Sequence, residues 1–320
     1  MSHFSILLIV SLIILVAAVF AIAIYMRRKL RKVAARSEEA LGAAGAWIKA
    51  HADLQPKFAE YEGQKIHYIQ TGRGPDLILL HGIGASLFIW RFVLQRLSAH
   101  YRVTALDIPG FGRSHKEARG DYGLDAQRER VVHFLDFIKI QRAYLVGSSM
   151  GGAIALWMAH EDPERFPKVV ALAPATSPEI IPNQLAKAAR LAPLTHKTLN
   201  RHTMKMILSY VLARRELIDS ATIEAYLEPY LDQGLSVKTF LGALQLLGDP
   251  RMPKCFSGIR SEVLLIQGER DRLVTMRSIQ RLAKIIGSPE IVVSPSGGHH
   301  IMEDEPEWTT SEILRFFKQT

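Results

Sequence analysis

A chain of 320 residues, 48% apolar and 22% charged, can bury a large core as one domain with an insertion or as two domains. Its formal charge of +9 is mostly local: six basic residues and no acid fall within residues 27–36, and the remainder carries roughly +3, so the charge gives no reading of nucleic-acid binding. The single cysteine, Cys255, excludes an intramolecular disulfide and suits a reducing compartment.

The first element in chain order is "FSILLIVSLIILVAAVFAIAIY" at 4–25, which carries no charge. At 1.5 Å per residue, about 20 apolar residues cross a hydrocarbon core of about 30 Å, so a single transmembrane anchor is expected. A cleaved signal peptide would put basic residues before the apolar run, whereas here the basic cluster follows it. Lys and Arg are retained on the cytoplasmic side, so the chain beyond residue 27 is expected to face the cytoplasm, with the cluster against anionic headgroups. Residues 37–60 are expected to form a linker helix.

Beyond residue 60, short β-rich runs alternate with segments of helical period. The runs are "KIHYIQ", "DLILLHG", "YRVTALD", "AYLVGSS", "KVVALAP", "EVLLIQG" and "EIVVSP". Helical patterns fall near 88–98, 124–140, 276–286 and 309–317. Nearly all-apolar strands alternating with helices predict an α/β fold, a mostly parallel twisted sheet with helices on both faces. Residues 177–256 break the alternation with helical patterns only, notably "HKTLNRHTMKMILSYVLARRELI" and "SVKTFLGALQLL". The expected organisation is an anchor with its basic flank (1–36), a linker helix (37–60), a core (61–176 and 257–320) and a helical insertion (177–256).

One turn, "AYLVGSSMGG" at 143–152, holds two adjacent serines between a strand and a helix. A serine nucleophile needs exposure at a strained turn, a base, an orienter for the base and oxyanion donors. The G-x-S-x-G spacing is met by Gly147, Ser149 and Gly151, whereas Ser148 has Val146 two positions before it. The alternative reading is a small-residue turn without chemistry. Three further motifs lie beyond strands. They are His81-Gly82-Ile83-Gly84, Asp271 in "LLIQGERDRLV", and the paired His299 and His300 in "SPSGGHHIMEDEPE".

With these four motifs in this order, residues 60–320 resemble the α/β-hydrolase superfamily in its branch with a helical cap, esterase- or lipase-like. The resemblance implies an α/β-hydrolase fold and the chain order nucleophile, acid, histidine, that is Ser149, Asp271 and His299. It favours His299 over His300, because His299 follows Gly298 and lies seven residues before Pro306, and Asp271 over Glu269 by the G-x-x-D spacing from Gly268. It further implies an oxyanion hole from the N–H groups of Ile83 and Met150, with His81 and Gly82 supporting the loop, and structural roles for Asp107 and Arg113. A serine at the elbow excludes the alkyl-ester route of relatives that carry aspartate there.

The implied activity is hydrolysis of a carboxylic ester through an acyl-enzyme, and the anchor adds the expectation of a lipid or amphiphilic ester. Carbon–carbon bond hydrolysis, amide or thioester cleavage, and cofactor-free perhydrolysis remain open with the same triad. A non-catalytic binding protein is the reading from another class. Met204, Met206, Leu208 and Phe240 are candidate linings of an acyl pocket in the cap. No cofactor, metal or nucleic-acid partner is implied.

Overall fold

A computed structural model describes residues 54–177, 199–232 and 234–318. The anchor at 4–25, its basic flank and most of the linker lie outside these residues. Among the described residues no helix is long and apolar enough to cross a membrane.

Eight strands form one sheet: β1 (Pro56–Tyr61), β2 (Gln64–Thr71), β3 (Asp76–Leu80), β4 (Arg102–Leu106), β5 (Tyr144–Ser148), β6 (Lys168–Leu172), β7 (Glu262–Gly268) and β8 (Glu290–Ser294). Their spatial order is β1-β2-β4-β3-β5-β6-β7-β8, with β1 and β2 antiparallel to their neighbours and the rest parallel. Strand β6 is buried at every position, as a strand covered on both faces must be. The chain leaves β3 for β4 on one side and returns as β5 on the other. The junction of β3 and β5 is therefore the switch point, where a crevice opens beyond the strand ends.

The linker-helix expectation fails at its end: Pro56–Tyr61 is a strand, paired with β2 through a two-residue turn. Glu62 and Gly63 both take positive φ (49° and 74°), the left-handed conformation that matches the twist of a tight hairpin. The "YEGQ" punctuation outweighed the helical pattern preceding it.

The helices of the core are α1 (Leu94–Ser98), α2 (Leu124–Phe137), α3 (Met150–Glu161), α7 (Met276–Ile285), α8 (Ile301–Asp304) and α9 (Pro306–Lys318). Helix α3 is buried from Met150 to Ala159, which explains its lack of a polar face. Between β6 and β7, the described part of the insertion contributes α4 (Arg201–Val211), α5 (Ser220–Leu227) and α6 (Leu235–Leu247), joined by short 3-10 turns and without a strand among the described residues. Residues 178–198 of the predicted cap lie outside the described residues.

The long helical pattern at 196–218 breaks after α4 for a tertiary reason. The Val211 carbonyl accepts the backbone N–H groups of His299 (2.9 Å) and His300 (3.2 Å). The Asp304 carboxylate accepts those of Ala213 (3.0 Å) and Arg214 (2.9 Å). The backbone groups that would extend the helix are committed to the loop carrying the two histidines.

Candidate active site

Ser149 sits between β5 and α3 with φ 55° and ψ −117°, a conformation costly for a residue with a Cβ. Its backbone is held on three sides: its N–H donates to Leu172 (2.9 Å), and its carbonyl accepts from Ala153 (3.1 Å) and Ala175 (3.0 Å). The flanking glycines are demanded by packing. A Cβ on Gly147 would collide with the Gly151 carbonyl, and one on Gly151 with the Leu80 carbonyl at the end of β3. Ser148 points the other way, fully buried, its hydroxyl without a hydrogen-bond partner.

The loop after β3 runs beside the serine: a Cβ on Gly82 would stand 3.2 Å from the Ser149 Cβ. Three groups brace it. Complete burial, only partly countered by Asp107, pushes the His81 imidazole below its usual value. In the neutral tautomer that satisfies both neighbours, His81 Nδ1 donates to the Gly82 carbonyl (2.8 Å) and Nε2 accepts from the Ile108 N–H (2.9 Å). The Asp107 carboxylate receives the Leu87 N–H (2.7 Å) and the Arg113 backbone N–H (2.8 Å), while the Arg113 side chain reaches Glu228 (3.1 Å). From the cap, Tyr230 donates its hydroxyl to the Gly84 carbonyl (2.8 Å). Neither the Ile83 N–H nor the Met150 N–H has a protein acceptor among the described residues.

Asp271 follows β7 and His299 follows β8, so both side chains enter from the same strand ends as Ser149. His299 Nδ1 lies 2.8 Å from Asp271 Oδ2. The other carboxylate oxygen accepts the N–H groups of Leu273 (2.7 Å) and Val274 (3.0 Å), and Gln267 Nε2 reaches Oδ2 at 3.3 Å. Burial by itself raises this carboxyl, but His299 and the two N–H groups outweigh it and hold it below the ordinary carboxylate value. A buried, ionised acid on Nδ1 leaves Nε2 of the ring as the basic nitrogen.

His300 belongs to a different cluster. Its Nδ1 lies 2.8 Å from Glu303 Oε2 and 3.0 Å from the Tyr226 hydroxyl. Glu303 also receives Arg91 and the Tyr226 hydroxyl directly. Against the burial penalty, Arg91 and His300 hold the Glu303 carboxyl down at about 2. Sequence reasoning missed this cluster, although the i, i+3 spacing of His300 and Glu303 is visible in the chain.

Of the residues expected to line an acyl pocket, Phe240 packs against the loop after β3, 3.0 Å from where a Gly84 Cβ would be. Met204 and Leu208 are buried, and Met206 faces solvent at 60% exposure, so the expectation is corrected for Met206. Tyr230 was not anticipated; only its tertiary contact marks it.

A family model described as the alpha/beta hydrolase fold matches residues 75–306. The chain is 30% identical over 262 residues to the uncharacterized hydrolase YugF of Bacillus subtilis (strain 168), covering 79% of this chain and 93% of that protein. It is 27% identical over 262 residues to a pimeloyl-[acyl-carrier protein] methyl ester esterase of Vibrio vulnificus (strain CMCP6), covering 78% and 97% of the two chains. Among solved structures, a membrane phospholipase A described as a bacterial virulence factor superposes with a TM-score of 0.69, at 23% identity over 97% of each chain, a likeness of fold. Sheet order, elbow geometry and these similarities agree: the chain is a hydrolase of the α/β-hydrolase family.

Proposed function

We propose that this hydrolase cleaves carboxylic esters through an acyl-enzyme on Ser149. The observation carrying the reading is the 2.8 Å contact of His299 Nδ1 with a buried Asp271 carboxylate, on strand ends shared with the elbow serine. His299 Nε2 takes the proton from Ser149 Oγ as it attacks the ester carbonyl, and Asp271 stabilises the imidazolium. The Ile83 and Met150 N–H groups hold the oxyanion. Collapse expels the alcohol, protonated by His299, and water then releases the acid by the same steps in reverse.

The apolar run at 4–25 and the basic residues after it support a membrane tether with the catalytic domain on the cytoplasmic side, and hence a lipid or amphiphilic ester. The esterase relative in Vibrio vulnificus, whose name specifies a methyl ester, supports ester chemistry.

Fluorophosphonate labelling of the full chain tests the assignment. Labelling is expected to vanish in Ser149→Ala and His299→Ala and to persist in Ser148→Ala and His300→Gln. Loss in Ser148→Ala with retention in Ser149→Ala would overturn it. A panel of p-nitrophenyl esters, thioesters, amides and a vinylogous diketone then separates the ester reading from the other chemistries open to the triad.

A further inference from the structure

Helix α4 is apolar on two sides. Met204, Leu208 and Val211 face the core, as the spacing i, i+4, i+7 requires. The solvent side carries Met206 and Tyr210 with Ile207 on its flank, exposed at 60%, 48% and 47%. These are three of the six large apolar side chains exposed among the described residues, gathered within five positions of one helix. Isolated exposed apolar residues are ordinary, but a cluster of this kind on a helix marks a contact surface.

Its surroundings are cationic. A recess of about 520 Å3 is lined by Lys205, Met206, Tyr210, Arg215 and Arg272 among others, and a second of about 160 Å3 adds Arg270. Among the described residues none of Lys205, Arg215, Arg270 and Arg272 pairs with a carboxylate. Among the described residues, the Arg215 side chain is engaged only by the Ser209 carbonyl. Apolar side chains ringed by uncommitted cations fit a surface that offers acyl chains beneath anionic headgroups.

We propose that this face of α4, with the arginines of the loop after β7, docks onto an anionic phospholipid bilayer. Charge complementarity argues for this occupant. So does the uncharged run at 4–25, of membrane-spanning length, which would keep the domain at a bilayer. An acidic protein would satisfy the cations but leave Met206 and Ile207 without a reason.

The face also adjoins the catalytic pair. The Tyr210 hydroxyl donates to the Arg272 carbonyl (3.0 Å), one residue from Asp271, and the Val211 carbonyl holds the backbone of His299. Docking through α4 therefore sets the loops of both residues at the lipid interface. The surface is assigned independently of the chemistry at Ser149, which labelling scores separately.

The test uses the full chain with Cys255→Ser and either Met206→Cys or Phe137→Cys, each carrying a nitrobenzoxadiazole label. Phe137 is half exposed and stacks on Tyr61 of β1, at the opposite edge of the sheet. The protein is reconstituted into phosphatidylcholine vesicles with or without about 30% phosphatidylglycerol, using brominated acyl chains as quencher. In the anionic vesicles, quenching at position 206 is expected to exceed that at 137 by about threefold. It should fall towards the 137 level at about 0.5 M salt and in Lys205→Glu/Arg272→Glu.

Equal quenching at the two positions would overturn the proposal. So would equal quenching with and without phosphatidylglycerol, which would remove headgroup recognition. A 206 label shielded from aqueous iodide but not quenched by brominated lipid would overturn it too, since another part of this chain, a second copy or a protein would then cover the face.

Discussion

At the scale of single residues, the site rests on buried side chains whose charge is held, against burial, by their hydrogen-bond partners. Asp271 is ionised inside the protein against the His299 ring, so on the proposed mechanism Asp271→Asn leaves the imidazole in the wrong tautomer. A fall in kcat of about 10^4-fold with little change in KM is expected, read from steady-state ester hydrolysis. Asp107 is a structural counterpart. Burial raises its carboxyl, but His67 at 2.7 Å and the backbone N–H groups hold it at about 2, below the ordinary value of 3.8. A depressed carboxyl contributes stability above the unfolded value and loses it as pH falls. This contribution of about 2 kcal/mol is therefore present above about pH 4 and disappears between about pH 4 and 2. Asp107→Asn should lower stability at pH 7 by about that amount and flatten the acid limb, measured by urea unfolding of the full chain.

At the scale of elements, the contacts of the loop after β3 decide whether the Ile83 N–H stays in place. Gly84 has φ +71°, and a Cβ there would stand 2.6 Å from the Tyr230 hydroxyl and 3.0 Å from Phe240, so cap and loop meet at van der Waals limits. Tyr230→Phe removes the bond to the Gly84 carbonyl while preserving the ring. If the Ile83 N–H serves as the proposed oxyanion donor, a fall of about tenfold in kcat with KM nearly unchanged is expected, because such a donor acts mainly on the transition state. A change in KM alone would assign Tyr230 to substrate binding. The junction of β3, β5 and α3 is less forgiving. A Cβ on Gly151 meets the backbone of Leu80, which has no rotamer to yield, so Gly151→Ala should cost about 3 kcal/mol or prevent folding.

At the scale of the whole molecule, cap and core are joined by the buried cluster of Arg91, Glu303, His300 and Tyr226. Arg91 lies in the segment between β3 and α1, Glu303 in α8 and Tyr226 in α5, so elements distant in sequence converge on one carboxylate. Removing one charge strands the other. Arg91→Met should cost about 3 kcal/mol, whereas the double change Arg91→Met/Glu303→Met should recover most of it. Additive losses in that cycle would show that the two residues are not coupled.

How much of this was legible in the chain follows from the range of the interactions. Local patterning was enough for seven of the eight strands, since apolar runs bounded by turn residues report burial without reference to the partner. The eighth, Pro56–Tyr61, exists because a tight turn lets it pair with β2, and its own pattern is weak. Gly147, Ser149 and Gly151 were readable because a strained turn restricts residue types within five positions. The choice of His299 over His300 needed a motif to suggest it and the fold to explain it: two adjacent imidazoles find two different carboxylates, Asp271 after β7 and Glu303 in α8. The break in the helical pattern after Val211, the brace from Tyr230 and the outward turn of Met206 carried no local signal. The first two are fixed by groups far away in sequence, a histidine loop and a glycine carbonyl, and the third by the side of α4 that the core claims. Short-range chemistry was thus determined by the sequence itself, and the tertiary structure decided wherever a backbone or side-chain group had two possible partners and only packing could choose.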